Sequence, residues 1–143
     1  MSDPQSVAEA SARAMFGQDR ASQALGMRIL EVRPGYARLA MTVREDMVNG
    51  HKICHGGLIF ALADSAFAFA CNTYDLVTVA ASGSIEFLLP GRLGDELTAV
   101  AEECTRSKRT GVYDVAVRNQ HGECVAMFRG RSHEIGGSIV VKS

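Results

Sequence analysis

This sequence has no excess of either charge, no closely spaced cysteine pair and no long unbroken apolar run. Fifteen basic against sixteen acidic residues give a formal charge of −1, so bulk electrostatics provide no pull toward nucleic acid or an anionic membrane, and neither partner is expected. Cys54, Cys71, Cys104 and Cys124 form no C-x-x-C motif, and two of them lie among apolar neighbours. That usage fits reduced thiols rather than a disulfide framework and predicts a reducing, cytoplasmic setting. The start, Met1-Ser2-Asp3-Pro4-Gln5, lacks a basic segment and an apolar signal core, and the longest apolar stretch is broken by Asp64 well short of a membrane span. At 143 residues the chain suits one domain around one core.

That broken stretch is the most informative part of the chain. From Leu58 to Cys71 only Asp64 and Ser65 are polar, and a helix apolar on every side is normally buried. Asp64 is therefore predicted to be a buried acid, which needs a partner or a chemical role because a carboxylate is costly to remove from water. Around the helix the patterns are strand-like. Met27 to Val32 and Ala37 to Val43 flank the Pro34-Gly35 turn, and residues 76–81, 85–89, 97–101, 112–118 and 124–131 are further strand candidates. Asp3 and Pro4 open a short N-terminal helix that ends near Gly17. Short connections favour antiparallel neighbours, so the expected class is α+β, a curved antiparallel sheet of five or six strands wrapped around one long central helix. The expected boundaries are a helical segment over 1–24, the domain over 25–137 and a frayed tail over 138–143.

Gly56 and Gly57 start the central helix, where backbone N–H groups lack intrahelical partners and the peptide dipoles present partial positive charge. Glycine there lets a carbonyl oxygen approach the backbone, as an oxyanion hole requires, although a tight loop-to-helix turn would also call for it. Eight residues at about 1.5 Å of rise separate Asp64 from Gly56 by about 12 Å along the axis. One chain cannot close such a site, so a two-fold dimer with antiparallel helices is predicted, Gly56 of one subunit facing Asp64 of the other. A thioester suits these parts because a thiolate of pKa about 8.5 leaves without an acid partner. Between Cys104 and His133 six basic residues outnumber two acidic ones, a balance that suits a phosphorylated ligand or merely solvated strand faces.

The segments Asn49-Gly50-His51-Lys52-Ile53-Cys54-His55-Gly56-Gly57 and Leu62-Ala63-Asp64-Ser65-Ala66-Phe67-Ala68 resemble the hotdog-fold acyl-CoA thioesterases of the phenylacetate-degradation type. The likeness continues through Phe87-Leu88-Leu89-Pro90-Gly91, Gly94-Asp95, Thr110–Asp114 and Phe128–His133, covering about residues 25 to 137. It implies that Asp64 is the catalytic carboxylate, that the Gly56 N–H polarises the carbonyl, and that Asn49 orients the water or the carbonyl. It further implies a homodimer as the minimal active unit, dimers paired into a tetramer, and phenylacetyl-CoA or hydroxylated phenylacetyl-CoA as substrate. His55 is a further catalytic candidate, and Gly57, Ser65, Phe60, Lys108 and Arg109 are substrate-binding candidates. Relatives often carry a basic residue where Leu89 stands, which leaves Arg92, Lys108, Arg109 and Arg131 as candidates for the coenzyme phosphates.

His51, Cys54 and His55 are too few for a zinc site, so no metal and no cofactor are expected. Cys54 beside His55 suggests a thiol nucleophile, yet catalytic pairs are usually distant along the chain. Two other functions use the same parts: a non-catalytic acyl-CoA sensor or carrier, and a hydratase or dehydratase, since fold alone does not fix function.

Overall fold

The computed structural model describes residues 3–140. Asp3 accepts the Ser6 N–H at 2.9 Å, and Pro4, with no amide proton to leave unpaired, opens α1 (Pro4–Gln18). Asp19 ends α1 and repeats the cap for α2 (Arg20–Ala24) by accepting from Ser22. These helices share the domain's core. Ala8 and Ala12 are buried in it, and the Phe16 ring meets Phe69 at 6.2 Å.

Six strands form one sheet: β1 (Arg28–Arg33), β2 (Tyr36–Thr42), β3 (Thr78–Phe87), β4 (Glu96–Ser107), β5 (Thr110–Arg118) and β6 (Cys124–Glu134). Their order is β1-β2-β4-β5-β6-β3 with every neighbouring pair antiparallel, and α3 (Gly56–Cys71) packs across one face. The expected α+β arrangement of a sheet around one helix is what the chain adopts. In β4 and β5, Leu97, Ala99, Ala101, Tyr113, Val115 and Val117 join Leu62, Ala63, Ala66 and Phe67 of α3 in the core, while alternate residues face outward.

Two local expectations differ. Residues 76–81 and 85–89 do not form separate strands; β3 is continuous from Thr78 to Phe87, with an irregularity in its pairing between Ala80 and Ser82. The small run Ala81-Ser82-Gly83-Ser84 shows no inside–outside alternation because β3 is an edge strand whose one close approach to the core there, Gly83 against the Phe128 ring, is made by a residue without a side chain. The tail is also held further than expected: Ser138 Oγ and the Ile139 and Val140 N–H groups donate to Asp75. Residues 141–143 of that expectation lie outside the described residues.

The approach of α3 to the sheet is close enough to require glycine on β6. A Cβ on Gly130 would lie 2.7–2.9 Å from the Phe67 ring, which is itself wedged against Tyr113 and Phe128 at 5.6 and 5.7 Å between ring centres. Gly130→Ala is expected to cost about 1–3 kcal/mol by overpacking. The check is a urea titration, with a lower midpoint at constant m; an undisplaced midpoint would mean that α3 can lift off the sheet freely.

Candidate active site

The loop before α3 is held by Asn49. Its Oδ1 accepts the N–H groups of His51 and Ile53 at 2.9 and 3.1 Å, and its carbonyl accepts from Lys52. The two backbone donors fix which end of the amide faces the loop, so the outward group is the Nδ2 donor. Asn49 can therefore donate to a carbonyl or a water, and has no side-chain oxygen to spare for accepting.

His55 follows as N-cap residue of α3 with φ −57° and ψ 134°, and its carbonyl accepts from Leu58 and Ile59. Its ring is exposed and makes no cap hydrogen bond. Nothing in the described residues takes up the Gly56 or Gly57 N–H, so two donors stand at the positive end of a 16-residue helix. The Phe87 ring lies over Gly56, 2.9 Å from where a Cβ would sit. Beside it a cleft of about 390 Å³ is lined by Ile53, Cys54, Ile59 and the run Phe87–Gly91. Phe87, Leu88 and Leu89 are 52, 55 and 41% exposed, an unusual concentration of apolar surface at one place. The sequence marked this run only as part of a motif. Its pairing of three large apolar residues with a Pro-Gly turn was the available signal for a binding surface.

Asp64 is half-buried in the single chain, not enclosed as expected, because the sheet covers the other sides of α3 and leaves one stripe open. Gly57, Ala61, Asp64 and Ala68 follow that stripe at 4-3-4 spacing, with Phe60 beside it. Burial raises the Asp64 carboxyl above the usual aspartate range, and no hydrogen bond or charge among the described residues counters it. The carboxylate and the glycine donors remain about 12 Å apart along the axis, so one chain does not bring them together.

The remaining candidates scatter. Ser65 Oγ lies 3.0 Å from Ser22 Oγ, and Ser22 in turn donates to Asp19, so the Ser65 hydroxyl donates to α2. Phe60 packs edge-on against Phe128 at 5.3 Å and remains partly exposed. Lys108 and Arg109 form the β4–β5 turn beside Cys71 and Thr78, at the opposite end of α3 from Gly56. The basic residues of 104–133 make no single patch: Arg129 pairs with Asp114 and Arg106 stacks on Tyr74. Burial pushes the Cys54 thiol up and the Cys71 thiol to about 12, so neither supplies a thiolate near neutral pH. A larger groove of about 890 Å³ lies between α1 and β1, but none of these candidates lines it.

Comparison with known proteins gives the arrangement its context. Residues 51–126 match the Thioesterase superfamily. The acyl-coenzyme A thioesterase PaaI of Escherichia coli (strain K12) is 50% identical over 129 residues, spanning 90% of this chain and 92% of that protein. The solved structure of E. coli PaaI, from the phenylacetic acid degradation operon, superposes with a TM-score of 0.93 at 47% identity, covering 95% of this chain and 99% of that one. A thioesterase protein from Streptococcus pneumoniae TIGR4, solved with coenzyme A, superposes with a TM-score of 0.79 at 27% identity over 88% of this chain and 97% of that one.

Proposed function

The chain belongs to the thioesterase superfamily and is an acyl-CoA thioesterase; from this premise we propose that it hydrolyses phenylacetyl-CoA and hydroxylated phenylacetyl-CoA through a site shared between two subunits. The observation that carries the mechanism is the pair of unclaimed N–H donors at Gly56 and Gly57, opening beside an apolar cleft. The thioester oxygen sits against the Gly56 N–H, whose developing charge such a donor stabilises by about 3 kcal/mol. Asn49 Nδ2 adds a second donor toward the carbonyl or the attacking water. Asp64 of the partner subunit takes a proton from water as it adds to the carbonyl, or attacks the carbonyl itself. Coenzyme A leaves as the thiolate, so neither an acid nor a cofactor is needed. Phe60 and Phe87 border the acyl group, and Ser65 keeps α3 seated on α2.

The edges of the sheet support the dimer. At one edge, β1 carries Arg28, Glu31 and Arg33, and Gln5 Nε2 of α1 donates to the Val32 carbonyl. At the other, β3 runs for 10 residues with Glu86 as its single charge and most of its residues exposed. A long, weakly charged edge of this kind pairs with another chain unless something blocks it. Pairing β3 with its copy across a two-fold axis sets the two α3 helices side by side in opposite directions. Gly57, Ala61 and Ala68 are small enough to let them approach. If Gly56 meets Asp64 of the partner subunit, Phe60 and Ala61 lie near the axis. Two such dimers join as a tetramer, and the free cysteines suit a cytoplasmic setting.

Thiol release from a panel of aryl and aliphatic acyl-CoAs tests the reading. The expected result is turnover with the highest kcat/KM for the phenylacetyl esters. Tight binding without thiol release would make the protein a sensor or carrier, and water addition to crotonyl-CoA would make it a hydratase.

A further inference from the structure

We propose that Ser22 is a positioning residue for hydrolysis: through Ser65 it fixes the turn of α3 about its own axis and so aims Asp64 at the Gly56 end of the neighbouring subunit. This rests on the role given to Asp64 above and adds to it a part for the N-terminal helices.

From Leu58 to Cys71 the two polar residues of α3, Asp64 and Ser65, are neighbours in sequence. A step of about 100° around the helix separates them, so they face different surroundings. Asp64 lies on the stripe that the sheet leaves open, and no hydrogen bond or charge among the described residues fixes its carboxyl within the chain. Its place is therefore set by the backbone of α3. Ser65 faces the N-terminal helices. A serine inside a helix commonly bonds its hydroxyl back to the carbonyl four residues earlier; here Ser65 Oγ instead meets Ser22 Oγ at 3.0 Å.

Ser22 is a fixed point. It is 2% exposed, its Oγ and N–H donate to the Asp19 carboxylate at 2.7 and 3.0 Å, and its carbonyl accepts the Met27 N–H at 3.0 Å. With its one hydroxyl proton spent on Asp19, Ser22 Oγ accepts from Ser65, and the relay from Ser65 through Ser22 ends on a carboxylate. Nor is α2 free to follow α3, because Arg44 Nη2 donates to the Ala24 carbonyl at 3.1 Å and ties the far end of α2 to the segment after β2. One turn beyond Ser65, Phe69 meets Phe16 of α1. Apolar contact is non-directional and tolerates a small rotation; a hydrogen bond has a direction and does not.

Rotation matters because the acid and the amide sit at different distances from the helix axis. A turn of α3 by about 10° carries a carboxyl about 6 Å from the axis through about 1 Å, and a backbone N–H about 2 Å from the axis through less than half of that. The acid of one subunit thus drifts away from the carbonyl held by the amide of the other. A misplacement of about 1 Å can cost about 10²-fold in rate.

The test measures kcat and KM on phenylacetyl-CoA in full-length Ser22→Ala, Ser65→Ala, Ser22→Ala/Ser65→Ala and Ser22→Ala/Asp64→Asn, with kcat expressed per folded chain from circular dichroism. Each single variant is expected to lower kcat about tenfold with KM within about twofold of wild type, and the double serine variant no further than either single. Ser22→Ala is expected to leave the residual kcat of Asp64→Asn where it was, because no acid remains to be aimed. A wild-type kcat in Ser22→Ala overturns the proposal. Losses that multiply in the double serine variant overturn the relay, and an equal tenfold loss in the Asp64→Asn background overturns the positioning role, since a merely loosened fold slows both backgrounds alike. Should Ser22→Ala not fold, Ser65→Ala, alone and with Asp64→Asn, carries the same expectations, because it removes the same bond from the partly exposed side. Wild-type protein that releases no thiol sinks the hydrolase reading, and wild-type turnover in Asp64→Asn alone sinks the acid's role; both take the proposal with them and are read without any serine variant.

Discussion

Asp64→Asn is expected to lower kcat on phenylacetyl-CoA about 10²- to 10⁴-fold, to leave KM within a few-fold of wild type, and to raise the unfolding temperature at pH 7. The two effects share one cause. Burial raises the Asp64 carboxyl above the ordinary aspartate value of 3.8, and no donor or cation offsets that shift in the single chain. A carboxyl whose folded value lies above its unfolded value is easier to ionise in the unfolded chain. Its penalty on folding is absent below the unfolded value, grows as pH rises through the folded one, and is complete at neutral pH. Asparagine keeps the shape and carries no charge to desolvate. The gain should be present at pH 7 and should vanish near pH 3. The same shift places the acidic limb of the wild-type kcat profile above pH 3.8, since only the ionised form accepts a proton or attacks. Wild-type turnover in Asp64→Asn would remove the carboxylate from the mechanism. A lowered unfolding temperature would mean that Asp64 is held by a favourable contact across the dimer.

What the sequence revealed follows the burial of each element. β4 and β5 sit mid-sheet with one face against α3, so Leu97, Ala99, Ala101 and Val115, Val117 had to alternate with outward residues, and that alternation was readable. β3 is an edge strand, and its middle, Ser82 to Ser84, is small and exposed, with Gly83 too close to the Phe128 ring to carry a side chain; with no large inward residue to read, it looked like a gap between two strands. The start of α3 was readable because glycine pairs and a lone acid are rare in an apolar helix. The cover of Phe87 over Gly56 was not, since it joins residues 31 apart through the sheet edge. Charge misled in a similar way. Arg106, Lys108 and Arg109 cluster in sequence with Arg118 and Arg129, but the β4–β5 turn and the strands that follow send them to different places. Ser65 read as part of the site because it adjoins Asp64; a step of about 100° around the helix turns it toward Ser22 instead.

Mixing two inactive variants should restore activity, about a quarter of wild type when equal amounts are allowed to exchange subunits. One variant is Asp64→Asn. The other is Gly56→Pro, which deletes the N–H proposed to hold the thioester oxygen. Proline is suited to this position: Gly56 is the first residue of α3, where no intrahelical bond is lost, and His55 already has the extended backbone that a following proline demands. The added ring atoms would meet Phe87, whose half-exposed ring can turn aside. Gly56→Pro alone is expected to lose about 10²- to 10³-fold in kcat. If each site takes its amide from one subunit and its acid from the other, a mixed dimer holds one site with both groups intact and one with neither. Random exchange makes half the dimers mixed, and half the sites in those are whole, which gives the quarter. If instead amide and acid served the same site from one chain, no mixture could contain an intact site. Recovery would then stay at the level of the two variants measured separately. Subunit exchange is verified independently by a mass tag on one variant, so a failure to recover cannot be assigned to unmixed dimers.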